Sequence, residues 1–385
     1  MFSERTKWNL AANKLSEALA RHRASDKRLF DLTVSNPTEC GFEYETGTIL
    51  KALQNPAALQ YEPNPKGLAV ARRAVANYYG ERGASVSLDD MILTTSTSEA
   101  YSFVFRLLCN PGDELLIAAP SYPLFAFLAD IQDVKLVRYP LVYDHGWQID
   151  FHGLERAITS RTKAVIVVNP NNPTGHFVKA QDVARLNSTC SQHEMALIAD
   201  EVFLDFALGS EGAISCADNS AALTFTLSGL SKICGLPQMK LAWLVASGQD
   251  ELKQQALDRL EVIADTYLSP GAPVQLATPT FLELRYLFQQ QVLARVRHNL
   301  TELDRQLARQ KVCTRLEVEG GWYAVLRVPS MQSDEELAIA LLETRDVYVH
   351  PGHFFDFSGD GYLVVSLIAR EDQFASGIGR ILSAF

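Results

Sequence analysis

Apolar residues along this chain gather into short runs. Seven of them cross the middle of the sequence: Met91–Thr95, Glu114–Ala118, Lys135–Tyr139, Ala164–Val168, Ala196–Ala199, Leu223–Leu227 and Leu241–Ala246. Several are hydrophobic at consecutive positions, as strands covered on both faces should be. Helix-like segments separate many of them, at Ser98–Leu108, Leu124–Ile131, Leu154–Ser160 and Ala180–His193. This alternation predicts an α/β fold in which a mostly parallel seven-stranded sheet is sandwiched by helices. From Glu251 to Arg309 the pattern turns helical, interrupted at Ser269–Pro273. Beyond it, strand candidates Trp322–Val328 and Tyr362–Ile368 accompany helices Asp334–Glu343 and Glu371–Ser383. We expect a large domain over 46–275, and a smaller α+β domain formed by 276–385 with the N-terminal arm, 1–45.

Composition narrows the partners. With 385 residues, 47% of them hydrophobic, the chain can bury a sizeable core and is not intrinsically disordered. A net charge of −10 argues against nucleic acid and anionic membrane surfaces as partners. The six cysteines (Cys40, Cys109, Cys190, Cys216, Cys234 and Cys313) are scattered without metal-ligand spacing and read as reduced thiols, so no metal site is expected. The polar opening MFSERTKWNLAANKL is unlike a secretory leader, and no apolar run approaches the ~20 residues of a membrane span. A cytoplasmic chain is the expectation.

In open α/β sheets, ligands bind beyond the carboxyl ends of the strands, so the residues that follow each apolar run matter most. There the sequence places Ser96-Thr97-Ser98-Glu99-Ala100, Pro120-Ser121-Tyr122-Pro123, Asn169–Gly175 (NPNNPTG), Asp200-Glu201 and Ser228-Gly229-Leu230-Ser231-Lys232. Hydroxyl residues opening a helix offer donors and a positive dipole end to a phosphate. Tyr122, between prolines, presents a flat face for stacking. Asp200 leaves a buried strand where it can meet a cationic nitrogen, and Lys232 can form a Schiff base with a carbonyl. Together these describe a pocket for pyridoxal phosphate. Taken singly, each has a blander reading: Asp200 as a helix cap, Asn172 as a turn former, Lys232 as a surface charge. His350 and His353, in HPGHFFDF, read as loop residues, and Phe354, Phe355 and Trp322 as core.

In this order and spacing the motifs resemble the class I/II aminotransferases, fold-type I pyridoxal-phosphate enzymes akin to aspartate aminotransferase, over essentially the whole chain. Tyr61–Gly67 (YEPNPKG) and Lys240, eight residues after Lys232, add to the resemblance. It implies an exchange of an amino group between an amino acid and a 2-oxo acid. Lys232 would carry the cofactor as a Schiff base and, once displaced by substrate, move a proton between the substrate Cα and the cofactor C4′. Asp200 would keep the pyridine nitrogen protonated, Tyr122 would stack on the ring and Asn172 would bond its phenolic oxygen beside the substrate. Ser96, Thr97 and Ser98 would open the phosphate-binding helix, with Ser228 or Ser231 and Lys240 completing the cradle. Tyr61 would reach the phosphate from a neighbouring subunit of a homodimer, and Asn36 would line the substrate side.

Three positions depart from the family pattern. Phe203 stands where a tyrosine usually bonds the phenolic oxygen. Lys240 replaces an arginine, keeping the charge but not the bidentate fork. Gly361-Tyr-Leu-Val-Val-Ser366 places Val364 where an arginine usually clamps the substrate carboxylate. Either another group binds the carboxylate, with Arg370 (six residues on, and needing a different path into the site), His353, Asn36 and Lys7 as candidates, or the substrate differs from an ordinary α-amino acid. These departures leave two other readings: a different pyridoxal-phosphate reaction in the same pocket, such as elimination, decarboxylation or an oxidative or cyclising step, or a non-catalytic sensor of the cofactor.

Overall fold

The computed structural model describes residues 1–209, 213–268 and 270–385. Helix α1 (Lys14–Arg23), capped by the Asn13 side chain, leads to the short strand β1 (Phe30–Asp31). Helices α2 (Thr46–Ala52) and α3 (Ala69–Glu81) precede an alternating succession. It runs β2 (Met91–Thr94), α4 (Thr97–Leu108), β3 (Glu114–Ala119), α5 (Leu124–Ile131), β4 (Lys135–Tyr143), β5 (Trp147–Ile149), α6 (Phe151–Ala157), β6 (Thr162–Val168), α7 (Ala180–Gln192), β7 (Ala196–Asp200), β8 (Thr224–Gly229), α8 (Leu230–Ile233) and β9 (Ala242–Ser247). Then come α9 (Asp250–Tyr267) and the 36-residue α10 (Ala272–Leu307). The chain ends with β10 (Thr314–Arg315), β11 (Tyr323–Arg327), α11 (Asp334–Arg345), β12 (Val347–Tyr348), β13 (His350–Pro351), β14 (Tyr362–Ser366) and α12 (Glu371–Leu382).

Every one of the seven apolar runs is a strand of one sheet, ordered β2-β9-β8-β7-β6-β3-β4-β5. The eighth strand, β5, is a three-residue antiparallel partner of β4 at the edge. Alternate residues of the central strands serve two cores. Ala164, Ile166 and Ile198 pack under α4 and α9, whereas Val165, Val167 and Leu197 pack under α6 and α7. Covering both faces is what makes the runs continuously apolar.

The C-terminal strands β10, β11, β14 and β13 form a separate antiparallel sheet. The N-terminal arm joins this region, since β1 pairs in parallel with β12 and Leu15 and Leu32 enter the same core as Val325, Val364 and Phe374. The break between α9 and α10 falls at the expected interruption, of which Ser269 lies outside the described residues. Helix α10 packs on α3 near its start and on α12 near its end, tying the two regions together. Among the described residues no helix is long and apolar enough to cross a membrane, and no group of three metal-ligating side chains is gathered.

Candidate active site

Strands β3, β6, β7 and β8 are parallel neighbours. Strand β2 runs the same way, because β9 is antiparallel to both β8 and β2. The five motifs that follow these strands therefore emerge at one edge. A cleft of about 420 Å³ opens there. The large sheet lines it with Thr97, Ser98, Tyr122, Asn172, Asp200, Phe203, Ser231 and Lys232, and the N- and C-terminal region with Ser35, Tyr323, His350, Phe354 and Phe355.

Local chemistry sets each group. Ser96 is the N-cap of α4: its hydroxyl accepts from the Glu99 amide at 3.1 Å, and the Glu99 carboxylate accepts from the Thr95 amide at 2.6 Å. Thr97 and Ser98 are thus left as the first helical residues, whose amides have no intrahelical acceptor. Asp200 ends β7, accepting from the Tyr101 hydroxyl at 2.9 Å and the Val202 amide at 3.1 Å. Burial pushes its carboxyl up to about 6, against the pull of those donors and of Lys232. Lys232 follows the end of β8 on the short α8. Its ammonium donates to the Ser35 carbonyl at 3.4 Å and lies 4.9 Å from the Trp322 ring centre and 5.6 Å from that of Phe203. Burial lowers it to about 8, so neutral amine is accessible near physiological pH.

In the NPNNPTG loop two asparagines divide the work. Asn171 is spent on structure, donating to the Pro120 carbonyl at 3.1 Å and the Thr174 hydroxyl at 2.9 Å. The amide oxygens of both are buried with no partner, and Asn172 is the one that lines the cleft. A buried polar atom without a partner is costly unless a ligand completes it.

Other expected residues lie elsewhere. Ser96 is consumed as a cap, and Ser228, fully buried, donates to the Glu201 carbonyl at 3.4 Å. Lys240 is exposed with a left-handed backbone, φ +53°. Tyr61 is 80% exposed in a surface cleft shared with Asn64, Pro65 and Asp265. Asn36 caps a short turn by accepting from the Thr38 amide at 3.2 Å, although its neighbour Ser35 reaches the cleft. Arg370 precedes α12 with its side chain 63% exposed and 3.9 Å from Asp372. That position is beyond the end of β14, so the guanidinium is not brought to the cleft. Lys7 pairs with Glu4 at 3.2 Å and His353 packs edge-on against Phe354; neither lines the cleft.

A sequence profile described as aminotransferase class I and II matches residues 43–372. The chain belongs to the class I and II aminotransferases. This aminotransferase is 28% identical over 374 residues to the alanine aminotransferase of Mycobacterium tuberculosis, covering 94% of this chain and 86% of the relative. It is 25% identical over 383 residues to the glutamate-pyruvate aminotransferase AlaA of Haemophilus influenzae, covering 96% and 94%. Its fold is that of an Escherichia coli aminotransferase (TM-score 0.89, 22% identity, 100% and 97% coverage). A Thermus thermophilus aspartate aminotransferase variant also shares it (TM-score 0.86, 21% identity, 100% coverage of both chains). The family works with pyridoxal phosphate, and the donor set fits that group: free amides at a helix start for the phosphate, a buried carboxylate for the ring nitrogen, an unsatisfied amide, and a lysine with a lowered pKa.

Proposed function

We propose that this aminotransferase holds pyridoxal phosphate on Lys232 and exchanges an amino group between an amino acid and a 2-oxo acid. The observation that supports it best is the joint placement of Lys232, lowered to about 8, and the buried carboxylate Asp200 in one cleft beside the start of α4. The bound cofactor supplies an electron sink for the charge that develops as the substrate Cα–H bond breaks. Lys232 would take that proton on Nζ and deliver it to the cofactor C4′ instead of back to Cα, a role suited to an amine whose pKa lies near the working pH. Asp200, in its charged form, pairs with the ring nitrogen. Tyr122 offers its face to the ring and Asn172 its amide to the phenolic oxygen. Thr97, Ser98 and Ser231 receive the phosphate. Phe203 offers no hydroxyl and instead packs edge-on against Trp322 at 5.2 Å, which leaves the phenolic side to Asn172. The alanine and glutamate-pyruvate aminotransferases among the relatives support small amino and oxo acids as substrates.

The reading includes a homodimer in which Tyr61 serves the cofactor phosphate of the second copy, which accords with its exposure beside Leu59 and Leu268. It includes a cytoplasmic location, in keeping with six free cysteines. The deciding experiment is the visible spectrum of the purified protein with added pyridoxal phosphate, then with amino acids, then with a 2-oxo acid. The cofactor band should bleach with a donor amino acid and return with the oxo acid, and Lys232→Ala should show neither change. Release of ammonia without bleaching would assign elimination instead, and a band that no amino acid alters would assign sensing. No band at all would refute the proposal.

A further inference from the structure

Among the described residues the cleft is lined by no arginine, and by no lysine besides the one assigned to the cofactor. The family's usual carboxylate clamp is Val364, fully buried in β14. Directly across from it in the antiparallel pairing stands His350 of β13, and Val325 of β11 pairs on its other side. Residues opposite each other in an antiparallel pair project from the same face, so the His350 ring occupies the neighbourhood that an arginine at 364 would have served. His350 lines the cleft together with Ser35 and Tyr323. Its Nδ1 is buried with no partner, and no protein group bonds its Nε2 among the described residues. The ring is framed by Tyr348, Phe354 and Phe355, with centres 5.7–6.1 Å away.

We infer that His350 receives the substrate's carboxylate, taking over through its ring N–H the recognition that a guanidinium performs elsewhere in the family. This rests on the transamination reading above. With Nδ1 sealed from solvent, a proton on Nε2 leaves one donor open to the cleft. A single donor in place of a bidentate fork holds a carboxylate at one oxygen and lets it rotate. Bulk beyond Cα then faces the aromatic wall of Phe354 and Phe355. Apolar amino acids carrying one carboxylate are thereby favoured over dicarboxylates, whose second charge finds no cation besides Lys232, taken by the cofactor, among the described residues of the cleft.

The test compares kcat/KM for the best donor among the standard amino acids with kcat/KM for the amine that lacks only its carboxylate. The unaltered enzyme should prefer the amino acid. His350→Leu should lower kcat/KM for the amino acid roughly ten- to a hundredfold more than for the amine. His350→Gln, whose amide nitrogen can stand where Nε2 stands, should retain most of the preference. Both variants should keep the cofactor band. An equal fall on both substrates, an unchanged amino-acid rate in His350→Leu, or an unaltered enzyme indifferent to the carboxylate would each overturn the assignment. Failure of the unaltered enzyme to convert any amino acid would instead refute the transamination reading.

Discussion

At the residue scale the site turns on how a buried carboxylate is kept charged. Asp200 is 8% exposed and pushed up to about 6. Tyr101, one helical turn beyond Ser98 and itself 2% exposed, opposes that push by donating its hydroxyl at 2.9 Å. Phe125 packs edge-on against Tyr101 at 5.1 Å and fixes the ring. Tyr101→Phe removes a donor that favours the charged form, so the carboxyl should rise further above about 6. Only the charged form pairs with a cationic ring nitrogen. The acid limb of kcat/KM should therefore move to higher pH, and cofactor affinity at neutral pH should weaken roughly tenfold. A pH–rate profile with a cofactor titration measures both, and an unmoved acid limb would show that Tyr101 only packs.

Elements position these residues, and the loop after Lys232 shows how tightly. Gly235 has φ +64°, and a Cβ there would collide with the Phe288 ring of α10. Phe288 packs on Trp322, whose ring lies under the Lys232 ammonium. Gly235→Ala combines left-handed strain with overpacking and should cost about 2–4 kcal/mol, read as a lower urea midpoint. Adding Phe288→Leu should restore the overpacking share and not the strain. Legibility divides along the same line. The seven strands and the motifs at their ends were readable because each is a local pattern whose placement follows from parallel pairing. Strand β5 was not, since three residues (WQI) carry no period. Nor was the second wall of the cleft. Ser35, Tyr323 and His350 arrive through the pairings of β1 with β12 and of β11 and β13 with β14, registers of two to five residues that no spacing announces. Arg370 is one of several candidates for the carboxylate because it follows Val364 by six residues, and its place at the start of α12 turns it to solvent.

At the scale of the whole molecule, the cleft is walled by segments far apart in sequence and, in the proposed dimer, finished by a second copy. Tyr61 lies in a different cleft from Lys232 and is 80% exposed, flanked by Leu59 at 91% and Leu268 at 61%. Exposed apolar side chains gathered beside a tyrosine mark a surface suited to a partner. If Tyr61 acts across an interface, two defective variants should repair each other. Tyr61→Phe weakens the site of its partner, whereas Lys232→Ala destroys its own. In a hybrid of the two, the lysine-bearing subunit receives the intact Tyr61 of the other, and one complete site is restored. Random exchange in a two-fold dimer should return about a quarter of full activity. Activity of the mixture equal to the mean of the two variants, after subunit exchange shown by mass, would place Tyr61 and Lys232 in the same subunit's chemistry or in none. The measurement separates the dimer from the cofactor assignment, because Lys232→Ala alone must still sediment as the unaltered protein does.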